Sequence, residues 1–289
     1  SKTSRIVMPG TYNYSYSDGD QYYSWSPDSK WLLVDYIPKG GQIFVGEIGL
    51  VNADGKSEPV NLTLSGYSDG TPKWMMEGKM MLWFSDRDGM KNHGSWGGES
   101  DVYGMFFTQA TFDRFKLSKE DFALVKEQEE KDKKEEDKSK EGDKKEKDKD
   151  DKKDEDKKEV KPIELELAGI ENRKARLTIH SSRLSDAVLS KDGEKLYYLA
   201  QFEKTSDLWV TELRTKETKL LCKDAGSGME ISEDGKSIFV ISNGNIVKIE
   251  TEGGKRENVN IKGEMNLNYL AEKAYIFDHA WRQVVKKFY

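Results

Sequence analysis

Four times along the chain a polar turn leads into a run of apolar residues. Ser26-Pro27-Asp28-Ser29-Lys30 precedes Trp31-Leu32-Leu33-Val34, and Met76-Glu77-Gly78-Lys79 precedes Met80-Met81-Leu82-Trp83-Phe84. Ser190-Lys191-Asp192-Gly193 precedes Leu196-Tyr197-Tyr198-Leu199, and Ser232-Glu233-Asp234-Gly235-Lys236 precedes Ile238-Phe239-Val240-Ile241. Asp and Gly accept turn conformations that β-branched residues resist, while Val, Ile, Tyr, Trp and Phe suit strands, so each copy reads as a hairpin. A third strand follows in each unit, at 43–48, 102–107, 207–213 and 244–249, and a weaker fourth at 58–62, 174–178, 218–221 and 256–261.

The repeat spacing is 49 residues from Ser26 to Met75 and 42 from Ser190 to Ser232. Four-stranded units of that length are the pattern of β-propeller blades. The expected fold is therefore all-β, a partial propeller of about four antiparallel blades within residues 1–262. The longer gap between the second and third copies accommodates a hairpin tip at 86–100, an elaborated outer edge at 109–122 and a charged insert. A closed ring usually has more than four blades, so further blades are expected upstream. After a linker, residues 271–289 read as a helix, with Leu270, Ala274, Phe277, Trp281, Val284 or Val285, and Phe288 on one stripe. With residues 263–289 taken as linker and helix, this segment is expected to open a following domain.

Charge changes the picture in one place. Residues Lys126 to Glu159 hold 14 Lys and 17 Asp or Glu in 34 positions. Such a segment has too little apolar surface to offset its ordering entropy, so 126–161 is expected to be a disordered or transiently helical excursion, acting as a solvated spacer. The rest has an ordinary globular balance. A net charge of −6 with both signs interspersed argues against nucleic acid as a partner. No stretch is long and apolar enough to suggest a membrane-spanning helix. The single cysteine, Cys222, excludes an internal disulfide and any cysteine-rich metal site.

Candidate chemistry is sparse. Gly66-Tyr67-Ser68-Asp69-Gly70 matches a G-x-S-x-G elbow, but Thr71-Pro72-Lys73-Trp74 leads into a strand where an elbow needs a helix. His93, His180 and His279 are the only histidines, and no two have metal-ligand spacing. Asp86-Arg87-Asp88-Gly89 begins like a calcium loop but has Gly97 where the twelfth-position Glu belongs, and it reads as a polar turn. Cys222 reads as a small packed residue, and Trp25, Trp31, Trp74, Trp83 and Trp209 as packing between blades. The Gly-rich tip around His93 and Trp96 is the one place picked out for contact with a substrate channel or a docking partner. No catalytic residue, metal ligand or cofactor is expected in this chain.

Several segments add a resemblance. Ser26-Pro27-Asp28-Ser29-Lys30-Trp31 and Ser85-Asp86-Arg87-Asp88-Gly89 resemble the propeller repeats of TolB-like proteins, prolyl-oligopeptidase-type enzymes and tricorn-type proteases. The segment from Met90-Lys91-Asn92-His93-Gly94-Ser95-Trp96 to Asp101-Val102-Tyr103 is similar to bacterial tricorn-like serine peptidases. So are Gly169-Ile170-Glu171-Asn172-Arg173 with Arg176-Leu177-Thr178, and Phe277-Asp278-His279-Ala280-Trp281-Arg282 with Phe288-Tyr289. The resemblance implies a peptidase that trims oligopeptides, with propellers screening access to a core that follows a PDZ domain. The nucleophilic serine and histidine of that family lie downstream, so none is carried onto a position here. It further implies oligopeptide substrates through the parent enzyme, PDZ and catalytic domains in cis, a homo-oligomer, and a cytoplasmic location with the periplasm as alternative. Two other readings stay open: a TolB-like protein-interaction propeller, and the propeller of a dipeptidyl-peptidase-like α/β-hydrolase.

Overall fold

The computed structural model describes residues 4–13, 21–42, 45–91, 98–142 and 161–288. They fall into two units, Ser1–Glu257 and Asn258–Tyr289. Four antiparallel sheets form the first unit, each with its strands hydrogen-bonded in chain order. The first blade is β1 (Tyr23–Trp25), β2 (Trp31–Tyr36), β3 (Glu47–Asn52) and β4 (Val60–Asn61). The second is β5 (Asp69–Met75), β6 (Met80–Ser85), β7 (Asp101–Phe106) and β8 (Lys174–Arg176). The third is β9 (Arg183–Leu189), β10 (Lys195–Gln201), β11 (Asp207–Glu212) and β12 (Thr218–Cys222). The fourth is β13 (Ser227–Ile231), β14 (Ser237–Ser242), β15 (Asn245–Glu250) and β16 (Arg256–Asn258), its last residue belonging to the second unit. The chain is thus an all-β partial propeller with a C-terminal helix.

Three of the four repeat turns share one hydrogen-bond pattern. Ser26 Oγ donates to Asp28 Oδ1 at 2.6 Å and accepts from the Trp31 N–H at 2.9 Å. Ser190 does the same with Asp192 (2.6 Å) and Lys195 (2.9 Å), and Ser232 with Asp234 (2.6 Å) and Ser237 (3.0 Å). The hydroxyl therefore ties the turn to the first residue of the next strand, the local pairing that makes Ser and Asp favourable in turns. The second turn has neither residue. It reverses through left-handed Met76 (φ 53°), Glu77 (φ 58°) and Gly78 (φ 89°). A Cβ on Gly78 would lie 2.5 Å from Ile163 Cγ2, so glycine is required there by space as well as by backbone.

The blades pack face to face. Leu33, Ile48, Leu50, Met81, Trp83 and Tyr103 form the core between the first two. Met80, Leu82, Phe106, Leu196 and Tyr198 fill the second junction, and Val188, Tyr197, Leu199, Ile238 and Val240 the third. This explains the unbroken apolar run at 80–84. β6 is sandwiched between two neighbours, so alternate residues enter different cores and both faces are apolar. Each such side chain contributes about 1.5–3 kcal/mol by leaving water.

The differences from expectation are local. The third strand of the first blade is displaced to Glu47–Asn52, because Tyr36 pairs with Glu47 and Trp31 with Asn52. Gly49 admits the Tyr36 ring there, which lies 3.0 Å from where a Cβ would be. Trp31, Trp74, Trp83 and Trp209 pack at blade junctions, but Trp25 is 51% exposed, on an edge strand of only three residues.

The outer edge at 109–122 is helical. α1 (Gln109–Lys116) is capped by Thr108, which accepts from the Thr111 N–H, and it lays Phe112 and Phe115 against Phe106. α2 (Lys119–Gly142) continues into the charged run, where Lys and Glu are strong helix formers and Lys131 reaches Glu127 at 2.8 Å one turn back. Residues 143–160 of the run lie outside the described residues. In the second unit, α3 (Tyr269–Lys287) is capped by Asn268 accepting from the Ala271 N–H, and its Leu270, Phe277, Trp281 and Val285 are exposed. No helix among the described residues is long and apolar enough to cross a membrane.

Candidate functional site

The first strand of each blade is bonded along one edge only, so its other edge presents backbone donors that need partners. Two aspartates supply them across blade junctions. In β5 the register shifts between Gly70 and Lys73, and Thr71 takes φ 55°. This bulge aims the Thr71 N–H at Asp35 of β2, whose carboxylate oxygens accept at 2.9 and 3.2 Å. Asp186 of β9 accepts the Met229 N–H of β13 at 2.7 Å through Oδ2 and the Lys73 ammonium of β5 at 2.5 Å through Oδ1. The Lys73 and Asp186 side chains are only 16% and 13% exposed. One carboxylate thereby joins the second, third and fourth blades.

Apart from Asp35, which stands behind Thr71, these groups line a cavity of about 460 Å³ to which every blade contributes: Tyr22 from the segment leading into β1, Thr71 and Lys73 from β5, Asp186 from β9, and Met229, Glu230 and Ile241 from the fourth blade. Burial pushes the Asp35 carboxyl up to about 7, the Thr71 bond opposing it. Burial, and then the charges of Asp35, Asp186 and Glu230, push the Tyr22 phenol up to about 12, so it stays a neutral donor. The arrangement is equipped to bind. It holds one cation matched to one carboxylate, a further carboxylate in Glu230 and an apolar wall.

The residues singled out from the sequence lie elsewhere. His93 and Trp96 fall outside the described residues; the hairpin beneath them closes with a bridge between Lys91 and Gly98. His180 is exposed beside a separate cleft with Phe202, Trp209 and Leu220, and His279 stacks on Tyr275 within α3. The stretch 66–70 turns at 66–68 and enters a strand, not a helix: Glu47 accepts the Gly66 N–H at 2.8 Å, and Asp69 opens β5 while accepting from Trp83 Nε1 at 3.1 Å. Asp88 accepts the Tyr103 hydroxyl, as a polar turn residue would. Cys222 sits in β12 with its thiol pushed up by burial. Among the described residues, no group of three His, Cys, Asp or Glu is placed to hold a metal. Lys73, Asp186 and Glu230 carry no local motif, and only the stacking of the blades brings them to Tyr22 and Asp35, which are neighbours within the first blade.

No protein-family model matches the chain, and no curated protein matches it. Solved structures do. The tricorn protease superposes with a TM-score of 0.58 at 12% identity, over 91% of this chain and 24% of its own. TolB from Acinetobacter baumannii gives 0.48 at 16% identity, over 85% of this chain and 44% of its own, and a TolB of Agrobacterium tumefaciens 0.46 at 12%, over 82% and 63%. The chain thus spans less than two thirds of each. At 12% identity the likeness to tricorn establishes the β-propeller fold and nothing finer.

Proposed function

We propose that this chain is a non-catalytic propeller portion of a tricorn-like serine peptidase, and that the faces of its blades around the Lys73–Asp186 pair receive oligopeptides on their way to a catalytic core elsewhere in the parent protein. The observation that carries the reading is the cavity itself. All four blades line it, and buried polar groups fix its walls. The superposition on the tricorn protease, over 91% of this chain, supports a propeller of this kind. The tricorn-like segments named above supply the link to a serine peptidase.

Such a site discriminates by shape. An extended peptide can enter a cavity of this size and leave backbone groups to pair with inner strand edges, whereas a folded domain cannot. Calorimetric titration of the chain with unstructured octapeptides and with a small folded domain tests this. Binding of the peptides with loss of affinity in Ile241→Asp supports the reading. Binding of the folded domain alone would favour a TolB-like interaction propeller instead.

A further inference from the structure

The charges of the cavity are not balanced. Lys73 is neutralised by Asp186 at 2.5 Å, and Asp35, behind the Thr71 wall, has no ion pair among the described residues. Glu230 is left over. It is exposed, and its carboxylate makes no ion pair or hydrogen bond among the described residues. It lines the cavity together with Tyr22 and Asp186.

Beside that carboxylate stands an apolar wall. Phe239 is the cross-strand partner of Glu230, and Ile241 pairs with Ile246 on the same face. Ile241 is 54% exposed and Ile246 37%, so both offer surface to a ligand. Lys248 lies on this face too, but across Phe239 and one strand further out, and it does not line the cavity. A lone negative charge set against apolar surface complements an amphiphilic cation and repels a carboxylate.

We propose, building on the peptide-binding reading above, that this cavity selects peptides by their N-terminus: a free α-ammonium against Glu230, with an apolar first side chain on Phe239, Ile241 and Ile246. An N-terminal residue carries its charge one bond from the carbon that bears its side chain, matching a carboxylate and an apolar wall on neighbouring strands. A lysine or arginine holds its charge at the end of a long flexible stem.

Three probes decide it with the intact chain: leucyl-leucine amide, its N-acetyl form, and N-acetyl-lysine amide. They are titrated at about pH 6.5, where an α-amine is charged, and followed by amide chemical shifts of β13 and β14. The free amine is expected to bind about fivefold tighter than the acetylated form, the upper range for a partly exposed ion pair. Glu230→Gln should abolish that difference without changing the melting temperature, because the Glu230 side chain is exposed and makes no hydrogen bond or ion pair among the described residues. Equal binding of the free and acetylated dipeptides overturns the N-terminal selection while leaving peptide binding intact, and so does preference for N-acetyl-lysine amide. Failure of all three to bind would remove the peptide-binding reading itself.

Discussion

Lys73 and Asp186 meet at 2.5 Å across the junction of the second and third blades, and the same aspartate accepts the Met229 N–H from the fourth. Removing one member of a nearly buried pair leaves the other charge without compensation. Asp186→Ala is therefore expected to cost about 3 kcal/mol, read as a lower urea midpoint with unchanged slope. Lys73→Met together with Asp186→Asn should cost far less. A single variant as mild as the double one would show that the pair does not hold the junction.

Asp35 makes stability depend on pH. Its folded pKa is raised from the ordinary 3.8 to about 7 by burial, so the folded state keeps a proton that the unfolded chain releases earlier. The sign follows: stability from this group falls as pH rises from about 4 to about 7 and is then flat, a loss of at most about 4 kcal/mol. Asparagine can still accept from the Thr71 N–H. Asp35→Asn should raise the melting temperature at about pH 8 and do little at about pH 4. A variant less stable than the native chain at both pH values would contradict the account.

The repeat turns are expected to be individually modest. Ser232→Ala removes a hydroxyl that bridges Asp234 and the Ser237 N–H, at a cost of about 1 kcal/mol in denaturant unfolding. Ser190→Ala should match it, since its two bonds have nearly the same lengths. A tenfold difference between them in unfolding equilibrium would mean that the turns are not equivalent.

Arg214 holds the helical outer edge to the third blade. Its guanidinium donates to the carbonyls of Phe115 and Leu117, pairs with Glu194 at 2.5 Å and lies 3.7 Å from the Phe122 ring centre. Arg214→Ala should speed amide exchange at 109–122 about tenfold and leave the blade cores protected. Arg214→Lys should behave almost as badly, because an ammonium cannot reproduce the planar fork. Unchanged exchange in both would show that the phenylalanines of α1 suffice.

The blades were legible because their signals are local. Ser190, Asp192 and Gly193 specify a turn within four residues, and the apolar runs on either side specify strands. Even the second turn, with methionine and glutamate in left-handed conformations, was marked by the repeat and by Gly78. The cavity was not legible. Tyr22, Lys73, Asp186 and Glu230 lie on different blades, and nothing near any of them in the chain signals the others. The Thr71 bulge that meets Asp35 arises from a tertiary junction rather than from local propensity. Trp25 departs from expectation for the reverse reason: tryptophan in a strand suggests packing, but β1 is short and lies at an edge.

The central claim is that peptides bind among the inner strands of these four blades. Photo-crosslinking measures this most directly: an unstructured octapeptide carrying benzoylphenylalanine at its first position, irradiated with the intact chain and mapped by mass spectrometry. The account predicts adducts on Tyr22, Met229, Phe239 and Ile241, competed away by unlabelled peptide. Adducts confined to the cleft beside Trp209 and His180, or to the exposed face of α3, would contradict it.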